Sequence, residues 1–263
     1  MFNKQILLTF DLEEFDIPNE YGASLEWEEQ ILVGLKGMTA VQEVLAFHHL
    51  PATIFTTAAY ALDNKEQIQK LAQQHEIASH TFHHSTFQNE DLLSSKQALE
   101  NIVGAEVFGL RMPRMKPIPM SLVKQAGYLY DSSVNPTFIP GKYNNLHLPQ
   151  RLYIEEQIHR LPCSVSPTFK IPLFWLAFKN FPYTVYKKLV IDTLTKKGYL
   201  NLYFHPWEFT DIRQYKLPFY IKKDSGQKLT DKLNRLITDL KKEGHFNTVH
   251  QYIESQTEKL MRL

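Results

Sequence analysis

Residues 9–16 read TFDLEEFD and follow directly on the apolar run Ile6-Leu7-Leu8. Asp11, Glu13, Glu14 and Asp16 crowd into this stretch, and carboxylates packed closely resist ionising together. Such a knot is either a solvated loop or a place where negative charge is used, at a metal or in acid/base chemistry. A second segment, SHTFHHSTF, carries His80, His83 and His84. Imidazoles four positions apart can face one ion from a helical turn. His83 is the spare, about 100° around that turn from His80. In a chain with 11 histidines the spacing alone is weak, and surface or capping histidines are the plain alternative. A catalytic metal site with an open position needs a third protein ligand. Asp11, Glu13 and Glu14 offer one carboxylate for a metal and another for proton transfer. Two imidazoles and one carboxylate suit Zn²⁺, with Co²⁺, Ni²⁺, Mn²⁺ and Fe²⁺ compatible by ligand type.

Three further residues complete a hydrolytic set. Arg111, in GLRMPRMK, can hold a carboxylate ionised through paired hydrogen bonds. Asp131, in GYLYDSSVNP, can orient a histidine. His205, in LYFHPWEF, has the pKa range of a general acid. Each also has a bland reading, respectively an ion pair, a turn residue and a strand-end histidine before Pro206.

The elements that must position them alternate. Gln5–Phe10 reads as a buried strand, Leu25–Phe47 as an amphipathic helix, and ATIFTT after Pro51 as a second strand. Helix 65–74, strand 76–79, a helix capped by Asn89 and running to Val103, strand 107–110, helix 121–126 ended by Gly127, and strand 128–130 follow. Later come helix 183–197 stopped by Gly198, strand 200–204 and helix 228–243. Repeated β-then-α argues for parallel strands with crossover helices. The acids, the histidines, Arg111, Asp131 and His205 all come just after strands, and in a barrel of parallel strands those ends share one face. No linker or shift in composition splits the chain, so a single domain over residues 1–263 is expected.

The chain has 263 residues, 43% hydrophobic and 22% charged, which is ordinary for a folded protein. A formal net charge of +1 gives no reason to expect nucleic acid as a partner. One cysteine, Cys163, excludes an internal disulfide and a thiolate metal site. The N-terminal stretch lacks a secretory h-region, and no run approaches the ~18 apolar residues of a membrane span. A cytoplasmic protein is expected. Residues 169–183, FKIPLFWLAFKNFPY, read as a loop or helix packed on the barrel. A wall that stacks sugar rings, or a membrane-peripheral patch, is the alternative, and burial of Trp175 and Phe178 decides between them.

In order and context these segments resemble the polysaccharide deacetylase family, also called the NodB homology domain. Its first motif is similar to Thr9-Phe10-Asp11-Leu12-Glu13, its HxxxH motif to His80–His84, and its RxP motif to Arg111-Met112-Pro113. Its aspartate motif is similar to Asp131 in YDSS, and its late LxH motif to Phe204-His205-Pro206. PATIFTTAAYA resembles the family's second-strand segment, and HPWE with GYLYDSS is similar to a branch associated with exopolysaccharide and cell-envelope loci. The resemblance spans roughly residues 5–208. It implies an α/β fold, an irregular (β/α) barrel, and metal-dependent removal of N- or O-acetyl groups from an acetylated carbohydrate.

The chain departs from the family where two adjacent aspartates are usual, because Leu12 cannot bind metal. Asp-x-Asp or Asp-x-Glu spacing occurs in some peptidoglycan deacetylases and in the allantoinase-like branch. Residues 11 and 13 share a side if the extended conformation persists, with Glu14 facing away. The resemblance therefore implies Glu13, His80 and His84 as metal ligands and Asp11 as general base. His205 is then the acid, supported by Asp131; Arg111 restrains Asp11, and a backbone N–H near Pro113 and Arg114 helps hold the oxyanion. Arg114 stands where relatives often carry a small or aromatic residue, which changes the cleft lining. Hydrolysis of a small cyclic amide and non-catalytic glycan binding are the competing functions.

Overall fold

The computed structural model describes residues 4–261. Strand β1 (Gln5–Leu12) is buried along its whole length and pairs in parallel with two neighbours. The strands that follow are β2 (Thr53–Thr56), β3 (Glu76–Ser79), β4 (Gly109–Leu110) and β5 (Tyr130–Asp131). Hairpin β6–β7 (Phe138–Ile139, Tyr143–Asn144) stands apart, and β8 (Tyr153–Glu155) turns back into β9 (Ile158–Arg160). Strands β10 (Tyr199–Phe204) and β11 (His245–Phe246) complete the set among the described residues. The main sheet runs β10-β1-β2-β3-β4-β5-β9-β8, with β11 added on β1, and every pairing from β10 to β9 is parallel. It curls into a half-barrel of the α/β type expected from the alternation.

Helices α1 (Trp27–His48), α2 (Ala58–Asp63), α3 (Lys65–Ala72), α4 (Asp91–Val103) and α5 (Met120–Gln125) lie among the first strands. Helices α6 (Trp175–Asn180) and α7 (Tyr183–Lys197) precede β10, and α8 (Phe219–Lys222), α9 (Gln227–Leu240) and α10 (Val249–Met261) follow it. No helix of the described residues is long and apolar enough to cross a membrane.

The period of two along a strand divides the core. Ile6, Leu8, Phe10 and Leu12 face the helices, in one cluster with Met38, Tyr60, Leu99 and Leu233. Leu7 faces the barrel interior with Phe55, Ala78, Tyr130, Leu161 and Tyr199, and Val249, Tyr252 and Ile253 of α10 pack into that inner cluster. The inward positions turn polar toward the C-terminal end of β1: Leu7, then Thr9, then Asp11.

Two expectations are corrected locally. Asn89 is not the cap of α4, which starts at Asp91 after Glu90; the Asp91 carboxylate instead accepts from the Gln88 N–H at 2.7 Å. The histidines are not on a helical turn. His80 N bonds back to Thr56 O at 2.8 Å, extending β3, and Thr81 then takes φ +66°. The first N–H groups of α2 hold this loop, with Ala58 N on Thr81 O and Ala59 N on Phe82 O. The hairpins within residues 138–160 were not expected from the sequence. Their strands are two or three residues long, too short to show alternation.

Candidate metal and acid–base centre

Where β1 runs out, its two inward carboxylates go to different partners. Asp11 Oδ1 accepts from Arg111 Nη1 at 2.6 Å, and both side chains are buried. Arg111, fully enclosed, also donates to Thr9 Oγ1 at 2.9 Å, Ser132 O at 3.2 Å and Ser132 Oγ at 3.0 Å. Its guanidinium lies 4.1 Å from the centre of the Phe55 ring. Burial alone would lower the Arg111 pKa, but Asp11 outweighs it and raises it. The result is a fixed carboxylate with one oxygen engaged.

Glu13 lies between the two imidazoles. Its Oε2 is 3.1 Å from His80 Nε2 and 3.3 Å from His84 Nε2, and Trp207 Nε1 donates to Oε1 at 3.1 Å. One donor atom from each of Glu13, His80 and His84 falls within 4.8 Å of the others. The far nitrogens are both occupied: His80 Nδ1 meets Arg111 O at 2.8 Å, and His84 Nδ1 meets Asp16 Oδ1 at 2.7 Å. Partners of this kind orient metal-ligating histidines and leave Nε2 free to bind. Asp16 also accepts from Ser85 Oγ. Burial pushes the Glu13 carboxyl up, but His84, His205 and His80 outweigh it and leave it far below the usual range. Burial likewise pushes His84 down, yet Glu13 and Asp16 raise it to about 9. The site therefore draws a cation between these groups, whether a proton or a metal, and the two-imidazole, one-carboxylate set fits a divalent ion.

Glu14 is not in this group. Its carboxylate accepts from Thr57 Oγ1 at 2.6 Å and from the His84 N–H at 3.4 Å, which ties the histidine loop to the cap of α2. His83, the spare, is on the rim, 46% exposed and 3.5 Å from Glu14. Arg114, at φ +56°, bridges from the loop after β4 to Glu20 at 2.6 Å and Ser85 at 3.1 Å.

His205 follows β10 and is stacked on Trp207 (centroids 5.0 Å apart, 19°), with Trp175 edge-on at 5.0 Å. Its Nε2 is 4.0 Å from Glu13 Oε1. Burial would lower its pKa, but Glu13 and Glu208 raise it. The acid beside its other nitrogen is Glu208, with Oε1 3.3 Å from Nδ1 and also accepting the His205 N–H at 3.0 Å. Asp131, expected to orient this histidine, is engaged elsewhere. It pairs with Arg160 Nε at 2.9 Å and accepts from both the N–H and hydroxyl of Ser133. Burial raises the Asp131 pKa. The register explains the difference: β5 pairs with β9, so Asp131 sits opposite Arg160.

Glu208, Asp16 and Lys179 had no role in the sequence reading. Glu208 was readable from spacing, because it stands three residues after His205 across Pro206-Trp207, and in the structure its carboxylate accepts the His205 N–H from within the turn. Lys179 was one of two lysines in the aromatic stretch. It is fully buried, 3.0 Å from Glu208 Oε2. Phe178 is buried in the outer core, whereas Trp175 is half-buried against His205. The stretch thus packs on the barrel and also lends one ring to the site.

The family model for polysaccharide deacetylase matches residues 3–129. No curated protein sequence matches the chain significantly. Among solved structures, a protein described as a polysaccharide deacetylase from Mycobacterium smegmatis superposes with a TM-score of 0.68 at 17% identity, covering 98% of this chain and 92% of that one. The Puue allantoinase gives 0.63 at 16% identity over 94% and 88%. A CE4 family pseudoenzyme from Bacillus anthracis gives 0.53 at 14% over 95% and 65%. At these identities the three matches carry the fold and nothing finer.

Proposed function

We propose that the chain, whose residues 3–129 match the polysaccharide deacetylase family model, is a metal-dependent hydrolase removing N- or O-linked acetyl groups from a glycan or glycan precursor. One observation carries this reading: the Glu13–His80–His84 cluster has Asp11 on the same strand end and His205 4.0 Å from Glu13. The three cluster residues would hold the ion, most simply Zn²⁺. A divalent cation there supplies Lewis acidity, polarising the acetyl carbonyl and making an attacking water more acidic.

The rest follows from the chain's own groups. Asp11, held in place by Arg111, takes a proton from the water whose oxygen joins the acetyl carbon. His205, with Nε2 turned to the Glu13 side, gives a proton to the nitrogen or oxygen that leaves as the C–N or C–O bond breaks. Trp175 and Trp207 wall the histidine and keep bulk water from its ring. The products are acetate and the freed amine or hydroxyl.

The experiment is metal content by mass spectrometry alongside acetate release from N-acetylated chitooligosaccharides and O-acetylated xylan. About one divalent ion per chain, lost in His80→Ala, is expected. Asp11→Asn should keep the ion and lose turnover by at least ~10²-fold. Loss of the ion in that variant would make Asp11 a ligand and refute the division of roles. The Asp11-x-Glu13 spacing supports a second reading, opening of a small cyclic amide; ring opening of allantoin without acetate release would select it. Bound metal with glycan binding but no turnover would make the chain a binding relative.

A further inference from the structure

The turn after β10 and helix α6 each hold a charge that the proposed chemistry does not use. Glu208 and Lys179 are both fully buried and 3.0 Å apart. Lys179 Nζ also donates to Ile221 O at 2.7 Å and lies 5.8 Å from the centres of both the Trp175 and Trp207 rings. A buried ion pair returns little net stability, because desolvating two charges offsets their attraction. An apolar pair of the same volume would serve the core as well. Its position suggests another use.

Both carboxylate oxygens of Glu208 are committed. Oε1 accepts the His205 N–H and faces His205 Nδ1, while Oε2 meets Lys179. The plane of the carboxylate is thereby set from two sides, by the turn that carries His205 and by α6. We propose that Glu208, anchored by Lys179, is the positioning residue of His205, fixing its ring and the Nδ1 proton so that Nε2 alone meets the leaving group. This rests on the deacetylase reading and extends it, since it assigns the work expected of Asp131 to a residue three positions from the histidine.

The arrangement has a physical logic. Glu208 lies in the 3-10 turn (Pro206–Phe209) that His205 caps, so the two move together, and a pair confined to that turn could swing as a unit. Lys179 ties that unit to a different element. Burial raises the Glu208 pKa, but Lys179 and then His205 outweigh it and keep the carboxyl lowered, so an ionised acceptor faces Nδ1. Trp207 stacks under the imidazole and also donates to Glu13, which fixes the distance between the histidine and the metal ligands.

The test uses two acetyl donors that differ in the leaving group. Departure from 4-nitrophenyl acetate needs no proton, whereas departure from an N-acetyl amino sugar or an alkyl ester does. Glu208→Gln should lose ~10- to 100-fold in kcat on the acetylated sugar with little change in KM, and stay within about threefold on the aryl ester. His205→Ala should show the same split, and the double variant should be no worse than His205→Ala, because residues acting as a unit are non-additive. Glu208→Asp should recover part of the sugar activity. Lys179→Met/Glu208→Gln removes both buried charges together and serves if Glu208→Gln alone does not fold. Equal loss on both donors with metal retained would make Glu208 merely structural and overturn the proposal, as would unchanged sugar turnover. A metal-loaded wild type inactive on both donors would instead overturn the deacetylase reading and this inference with it.

Discussion

Replacing Arg111 by Met tests how the site keeps a charged base inside the barrel. The side chain is fully enclosed, and its loss strands the Asp11 carboxylate, which has 2.6 Å contact with the guanidinium and is itself buried. Breaking a buried pair from one side costs about 3–5 kcal/mol. For a chain of this length that corresponds to a drop of roughly 6–20 °C in Tm. Thr9 and Ser132 lose a donor as well, so the loss should lie toward the upper part of that range. Turnover should fall at least ~10²-fold because Asp11, without the guanidinium that holds it, is no longer fixed to take the proton of the attacking water. Metal content should persist, since His80 leans on the backbone carbonyl of residue 111, which the substitution keeps. Differential scanning fluorimetry, acetate release and metal analysis read the three effects. The double variant Asp11→Asn/Arg111→Met should be more stable than Arg111→Met alone, the coupling expected of a contacting pair. A Tm within about 2 °C of wild type, or a double variant that simply adds the two losses, would refute the argument.

Other consequences follow from the packing. A Cβ at Gly37 would come within 1.9 Å of Pro206 O and 2.5 Å of its carbonyl carbon, both backbone, so Gly37→Ala must push α1 or the His205 turn aside. It should cost about 1–3 kcal/mol and depress turnover while metal stays bound; wild-type kinetics would show that this contact does not hold the turn. Leu12→Asp, which recreates two adjacent aspartates, buries a carboxyl in the outward cluster and should destabilise by on the order of 4 kcal/mol without raising activity. Tighter metal binding in that variant would contradict the assigned facing of β1. Burial pushes the Cys163 thiol up to about 12, so the native chain should not react with a disulfide reagent at pH 8 and should yield one thiol on denaturation. Rapid reaction in the native state would mean that the segment over Arg111 opens.

The half-barrel was legible because its signals are local and repeated. Apolar runs with turn residues after them mark β1, β2, β3 and β10, and the long helices carry a period that survives without tertiary help, as in α1 and α9. Asn89 misled because a good capping residue stood two positions from a better one: Asp91 bonds the Gln88 N–H from inside the first turn. The stretch from 138 to 160 resisted reading for a different reason. Its strands exist by pairing with β5 and with each other, and no run there is long enough for alternation to speak.

The candidate site divides along the same line. Asp11 and Glu13 were readable as a pair because one rule, two residues per repeat, sends both inward and Leu12 outward into the helix-facing cluster. Glu13 thus supplies a carboxylate on the same face as Asp11, where an aspartate at position 12 would have faced the helices. The histidines converge for a reason the spacing did not give: Thr81 at positive φ and the first N–H groups of α2 fold the loop so that residues 80 and 84 both meet Glu13. Partners chosen by register could not be read at all. Asp131 looks like a catalytic acid in sequence, yet β5–β9 pairing places Arg160 opposite it, and its carboxylate is taken up by that ion pair and by Ser133. Glu208, in turn, needs no register. It sits within the same turn as His205, which is why a search for acids near that histidine in sequence succeeds where a search by strand order does not.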